Sequence, residues 1–93
     1  MTKNELHELA RKLDKKFEEN RLYFEVYVDW NDDICFQVDW GDWKHEHLRA
    51  DWIAREFLDT LGFEYRITEQ TTEEDGSDTY SAEHRIEIKE VHI

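Results

Sequence analysis

A two-layer α+β sandwich is the fold class this sequence predicts, in the order α-β-β-α-β-β, with two helices on one face of a four-stranded antiparallel sheet. Three observations predict it. Two stretches repeat apolar residues every three or four positions, and two pairs of stretches repeat them every second position. Turn-forming residues separate the members of each pair, Asn31-Asp32-Asp33 in the first and Asp75-Gly76 in the second. The three glycines, Gly41, Gly62 and Gly76, all fall at boundaries between patterned stretches.

At the N-terminus, Thr2 and Glu5 have capping-box spacing, in which hydroxyl and carboxylate each satisfy a backbone donor of the other residue. Leu6, Leu9, Ala10, Leu13 and Phe17 then form one apolar stripe, so a helix is predicted over residues 3–19. From Leu22 the period becomes two. Leu22, Phe24, Val26, Val28 and Trp30 share one face, as do Ile34, Phe36, Val38 and Trp40. A three-residue turn pairs Trp30 with Ile34 and Val28 with Phe36, giving a hairpin over 22–40. Asp42 is a candidate N-cap for a second helix over 43–61, buried along Ala50, Ile53, Ala54, Phe57, Leu58 and Leu61. Gly62 occupies its C′ position. A second hairpin over 63–90 places Phe63, Tyr65 and Ile67 with Tyr80, Ala82, His84, Ile86 and Ile88. Val91 and Ile93 leave that phase, which predicts a bulge or frayed end near Lys89-Glu90. FEENRLYFEV from Phe17 and FLDTLGFEYR from Phe57 both run from helix end into strand, a hint of one αββ unit used twice. The short links at 20–22 and 61–63 predict hairpin tips at opposite ends of the sheet.

A chain of 93 residues is one domain, 1–93, with room for a single modest core. Its formal net charge is −12, and the excess is local. Residues 1–21 carry six Lys/Arg against five Asp/Glu, 22–78 carry four against sixteen, and 79–93 carry two against three. Such a field repels phosphate backbones and attracts basic partners, which excludes nucleic acid as a direct ligand. The single cysteine, Cys35, cannot form an internal disulfide. Neither a signal-peptide core nor a membrane-length apolar run is read, so the expected location is the cytosol of a bacterium or host cell.

Candidate chemistry is sparse. His45 and His47 stand about 200° apart around a helix and cannot share a metal there, and His47 with Asp51 is a pair short of a zinc site. His84 falls on the apolar strand face as a hydrogen-bonded core residue, and His7 and His92 are surface positions. Cys35 alternates outward beside Asp29, whose carboxylate raises a thiol pKa and so disfavours the reactive thiolate. No metal, no cofactor and no enzyme activity is expected.

Surface features say more. Leu48 and Trp52 lie one turn apart, opposite the buried stripe of the second helix and rimmed by His45, Arg55 and Glu56. Tyr23, Glu25, Tyr27, Asp29, Gln37 and Asp39 stand on the uncovered face of the first hairpin. Two acidic groups frame these features. Asp29, Asp32, Asp33, Asp39, Asp42, Glu46 and Asp51 form the first, and Glu69, Glu73, Glu74, Asp75 and Asp78 the second. Carboxylates spaced along a surface imitate a phosphate strand and can occupy a Lys/Arg-lined groove. The expected partner-binding set is therefore Asp29, Asp32, Asp33, Asp39, Asp42, Glu46, Trp52, Glu73, Glu74, Asp75 and Asp78.

In size, in acidity concentrated between residues 22 and 78, in aromatic content and in its lack of catalytic motifs, the chain resembles the small acidic inhibitors that phages make against restriction or CRISPR nucleases. That class spans unrelated folds. The resemblance implies a partner, the nucleic-acid channel of a nuclease, and no residue-by-residue correspondence. Two other readings stand beside it: a small acidic chaperone- or adaptor-like homodimer, and a minor enzyme or enzyme subunit.

Overall fold

The computed structural model describes residues 1–22, 24–39, 44–73 and 80–89, with the backbone alone at 38, 39, 44–47, 71–73, 80 and 81. Helix α1 spans Lys3–Glu19 and buries the expected stripe of Leu6, Leu9, Ala10, Leu13 and Phe17. The Thr2 hydroxyl oxygen accepts the Glu5 N–H at 3.2 Å. The second half of the expected capping box differs: the Glu5 carboxylate accepts the Thr2 hydroxyl proton at 3.1 Å, not a backbone N–H.

Helix α1 stops because Arg21 turns left-handed, with φ 61°. The Leu22 N–H then reaches the Phe17 carbonyl at 2.8 Å and the Arg21 N–H reaches Glu18 at 3.0 Å, a Schellman closure. Helix α2, Lys44–Leu61, ends the same way. Gly62 has φ 79°, Phe63 N–H donates to the Leu58 carbonyl at 3.1 Å and Gly62 N–H to Asp59 at 3.0 Å. The two closures match Phe17 to Leu58 and Arg21 to Gly62, one residue off the repeat that the sequence suggests.

Strands β1 (Val26–Val28), β2 (Ile34–Asp39), β3 (Glu64–Glu73) and β4 (Tyr80–Lys89) form one antiparallel sheet in the order β1-β2-β4-β3. The second strand of each hairpin lies in the middle and the first on an edge. One row across the sheet reads Val28, Ile34, Ile86, Ile67, and the next reads Val26, Phe36, His84, Glu69. Both helices bury against this face, so a single core joins the α1 stripe and Ala50, Ile53, Ala54 and Leu58 of α2 to Ile34, Phe36 and Ile86. Leu61, expected in the α2 stripe, is instead 49% exposed because it is the last residue of the helix. The ring of Phe17 meets Phe36 and Phe24 edge-on, with centroids at 5.0 and 5.9 Å. Deleting a fully buried ring of this kind costs about 3–5 kcal/mol.

The first hairpin corrects two expectations. Val28 pairs with Ile34 and Val26 with Phe36, two residues away from the expected register. A slip of two keeps each side chain on its face, so the core survives. Trp30 does not: it leaves the strand, enters the connecting loop and is 97% exposed. Cys35 points to the uncovered face as expected, yet it is fully buried, set in register between Tyr27 and Arg85.

The register also fixes the ends of the sheet. Ile34, just after the first loop, pairs with Ile86 near the end of β4, and Asp39 pairs with Ser81 near its start. The two hairpin tips therefore lie at opposite ends of a body measuring 50 × 26 × 18 Å. Among the described residues, no helix is long and apolar enough to cross a membrane. The expected irregularity near Lys89-Glu90 and the turn at Asp75-Gly76 extend beyond the described residues.

Candidate functional site

The first acidic group divides into parts with different jobs. In the β1–β2 loop, Asp29 acts as the frame: its Oδ1 accepts the N–H groups of Asn31 at 3.0 Å and Asp33 at 2.9 Å. Its backbone closes the turn, with Asp29 N–H donating to the Asp33 carbonyl at 3.0 Å and Asp32 N–H to the Asp29 carbonyl at 3.1 Å. Asp32 takes φ 60°, a conformation that Asp tolerates better than most residues. Arg85 reaches from β4, bonding the Asp29 carboxylate and lying 3.4 Å from both Asp33 Oδ2 and Glu83 Oε1.

This guanidinium explains how two carboxylates sit largely out of water. Burial, followed by the adjacent Asp29 charge, raises the Asp33 pKa, while Arg85 opposes the rise. Burial also pushes the Cys35 thiol up to about 11, with Asp29 adding to the effect. Asp29 and Asp33 thus face inward onto Arg85, whereas Asp32 is the carboxylate that the loop exposes. A 3.9 Å contact from Lys3 reaches Asp32 between two solvated side chains.

Asp39 ends β2, six residues beyond Asp33 and so about 20 Å along the strand. Across β4 from Asp39 the ladder reaches position 72, with Glu73 the last residue of β3. Those acids belong to the far end of the sheet. Glu46 lies in the first turns of α2, and Asp42, Glu74, Asp75 and Asp78 fall outside the described residues, as do Tyr23, Trp40 and His92. Asp51 is engaged within the fold: its Oδ2 accepts Arg55 Nε at 2.7 Å, and its Oδ1 lies 3.6 Å from Nδ1 of the buried His84. His84 stacks on Phe36 with centroids 4.6 Å apart and planes 8° from parallel.

Helix α2 carries the apolar part of the surface. Leu48 and Trp52 are 61% and 63% exposed, one turn apart and away from the stripe that packs on the sheet. Trp52 also lines a groove of about 420 Å³ between the helices, floored by Ile53 and Phe57 and flanked by Lys16, Glu56 and Leu61. Arg49 holds this side together by donating to the Asn20 carbonyl at 2.8 Å, which joins α2 to the end of α1. The Tyr65 hydroxyl, donating to Asp59 at 2.8 Å, ties α2 to β3 on the other side.

Among the described residues, Trp30 is the more exposed of two, with Leu61, that the sequence pattern expects to be buried and the fold leaves at the surface. Left in water, an indole forgoes on the order of 2–3 kcal/mol of burial. Its strand-like alternation hid a competing signal: Asp29 is a residue type that begins an Asx turn, its carboxylate accepting the N–H of Asn31 two residues on. Among the described residues, no three His, Cys, Asp or Glu side chains gather as a metal site. Compared with known proteins, the chain matches no family model, no curated protein and no solved structure.

Proposed function

We propose that this chain is an acidic protein-binding module that inhibits or regulates a nucleic-acid-binding protein by presenting carboxylates and an apolar anchor to a basic groove. The observation that carries the reading is Trp52, 63% exposed beside an exposed Leu48 on a chain of net charge −12. Tryptophan is the residue type most enriched in binding hot spots, and a groove beside it gives a partner side chain somewhere to pack. The charge supplies direction. It draws in a Lys/Arg-lined surface and releases the counterions that such a surface holds.

The arrangement of acids supports a partner that normally holds nucleic acid. Asp32 lies at one end of the sheet and Asp39 and Glu73 at the other, about 20 Å along the strand direction, which covers about six phosphates of one strand at 3.4 Å each. Restriction and CRISPR nucleases are the class of partner that this character fits. Neither cofactor nor metal enters the reading. A homodimer through the same helix is the competing use of Trp52, but bringing two such acidic chains together opposes it.

A competition assay tests the proposal: a fluorescent duplex is bound to each of a panel of purified nucleases and the chain is titrated in. Release of the duplex from a member of the panel is expected, and Trp52→Ala raises the midpoint about thirtyfold, equivalent to about 2 kcal/mol. Reversing Asp32 and Asp39 together also weakens the competition while leaving the fold intact. Asp33 is unsuitable for reversal, because a cation there would face Arg85. Retention of the duplex by every nuclease at low salt contradicts the proposal.

A further inference from the structure

We infer that the tip of the first hairpin is a docking point for an arginine side chain of a basic partner, with the guanidinium stacked on Trp30 and paired to Asp32. The inference rests on the proposed reading of a basic partner and names a second place where that partner is held. Trp30 is 97% exposed and Asp32 stands two residues away with its side chain 57% exposed, so a planar cation can reach both. Tryptophan offers the strongest aromatic face for a cation, and a guanidinium can stack on it while its edge donates to a carboxylate.

The loop backbone that carries this pair is braced. Asp29 accepts two backbone N–H groups inside the turn, and Arg85 bonds Asp29 from behind while lying near Asp33. One guanidinium therefore already occupies the inner side of the loop, and the outer side presents an indole face and a carboxylate for another. A rigid loop loses little freedom on binding. Lys3, at 3.9 Å and well exposed, is too loosely held to block Asp32. A second copy of this chain is a poor donor of the cation, since its net charge is also −12.

The test uses the full chain and a tryptophan-free hexa-arginine peptide, with a hexa-glycine peptide as control, at one low salt concentration. Tryptophan emission and calorimetry report binding. The expected result is a change in emission with the arginine peptide alone, and an affinity lowered about tenfold by Trp30→Ala and about threefold by Asp32→Asn. Circular dichroism and thermal melting should not move in Trp30→Ala, because the ring contributes nothing to the core. If Trp30→Ala binds the peptide as the parent does, the docking point is overturned and the basic-partner reading stands. If the peptide binds neither chain, both fall.

Discussion

Asp29 carries much of the structure of the β1–β2 loop. One carboxylate oxygen holds two backbone N–H groups and the other holds Arg85. Replacing Asp29 with Ala leaves those donors without that acceptor and should cost about 2 kcal/mol. Asp29→Asn keeps an oxygen for the two N–H groups and should cost less, a difference that denaturant melts of the two variants will resolve. At Cys35 the relevant quantity is the proton. Its folded thiol pKa of about 11 exceeds the ordinary 9.0, so the fold favours the protonated thiol. The resulting stability is complete below about pH 9 and is lost as pH rises towards 11. Cys35 should accordingly resist a thiol reagent at pH 8 in the native chain and react at once in denaturant. Rapid native labelling would contradict its burial. The sequence marked Cys35 as an outward strand residue because alternation reports a face, whereas burial on that face depends on Arg85, fifty residues away in the chain.

Within single elements, the helix ends make the sharpest prediction. Arg21 and Gly62 close their helices in the same left-handed turn, but only one of them is glycine. A side chain in that conformation costs roughly 1 kcal/mol. Arg21→Gly should therefore stabilise the chain by about that amount and raise the melting temperature by about 4–8 °C. Gly62→Ala should destabilise it similarly, although no atom lies within 4 Å of the added methyl, because the cost lies in φ and not in packing. Scanning calorimetry of both variants checks the pair. These elements were largely legible beforehand. The α1 stripe, the hairpins and Gly62 follow from periodicity and from glycine placement. The β1–β2 loop was not, since Trp30 continues an alternating pattern that local Asx bonding at Asp29 interrupts. A side-chain hydrogen bond of this kind leaves no trace in apolar periodicity.

Across the whole molecule, sequence order misleads about charge. Asp29, Asp32, Asp33 and Asp39 are near neighbours in the chain, but β2 carries Asp39 to the opposite end of the sheet from the loop. Arg85 takes up Asp29 and Asp33, while Asp51 is drawn into contacts with Arg55 and His84. Of the residues expected to bind a partner, Asp32 is exposed at one tip beside Trp30 and Trp52 is exposed on α2 beside Leu48, while the strand backbone carries Asp39 and Glu73 to the other end. Such an arrangement suits a long basic groove gripped at separated points. The most direct test is the salt dependence of affinity for a nuclease from which the chain displaces DNA. A straight loss of log affinity with log salt is predicted, amounting to about tenfold or more between about 50 and 200 mM. An affinity unchanged over that range would contradict the claim that charge directs this surface to its partner.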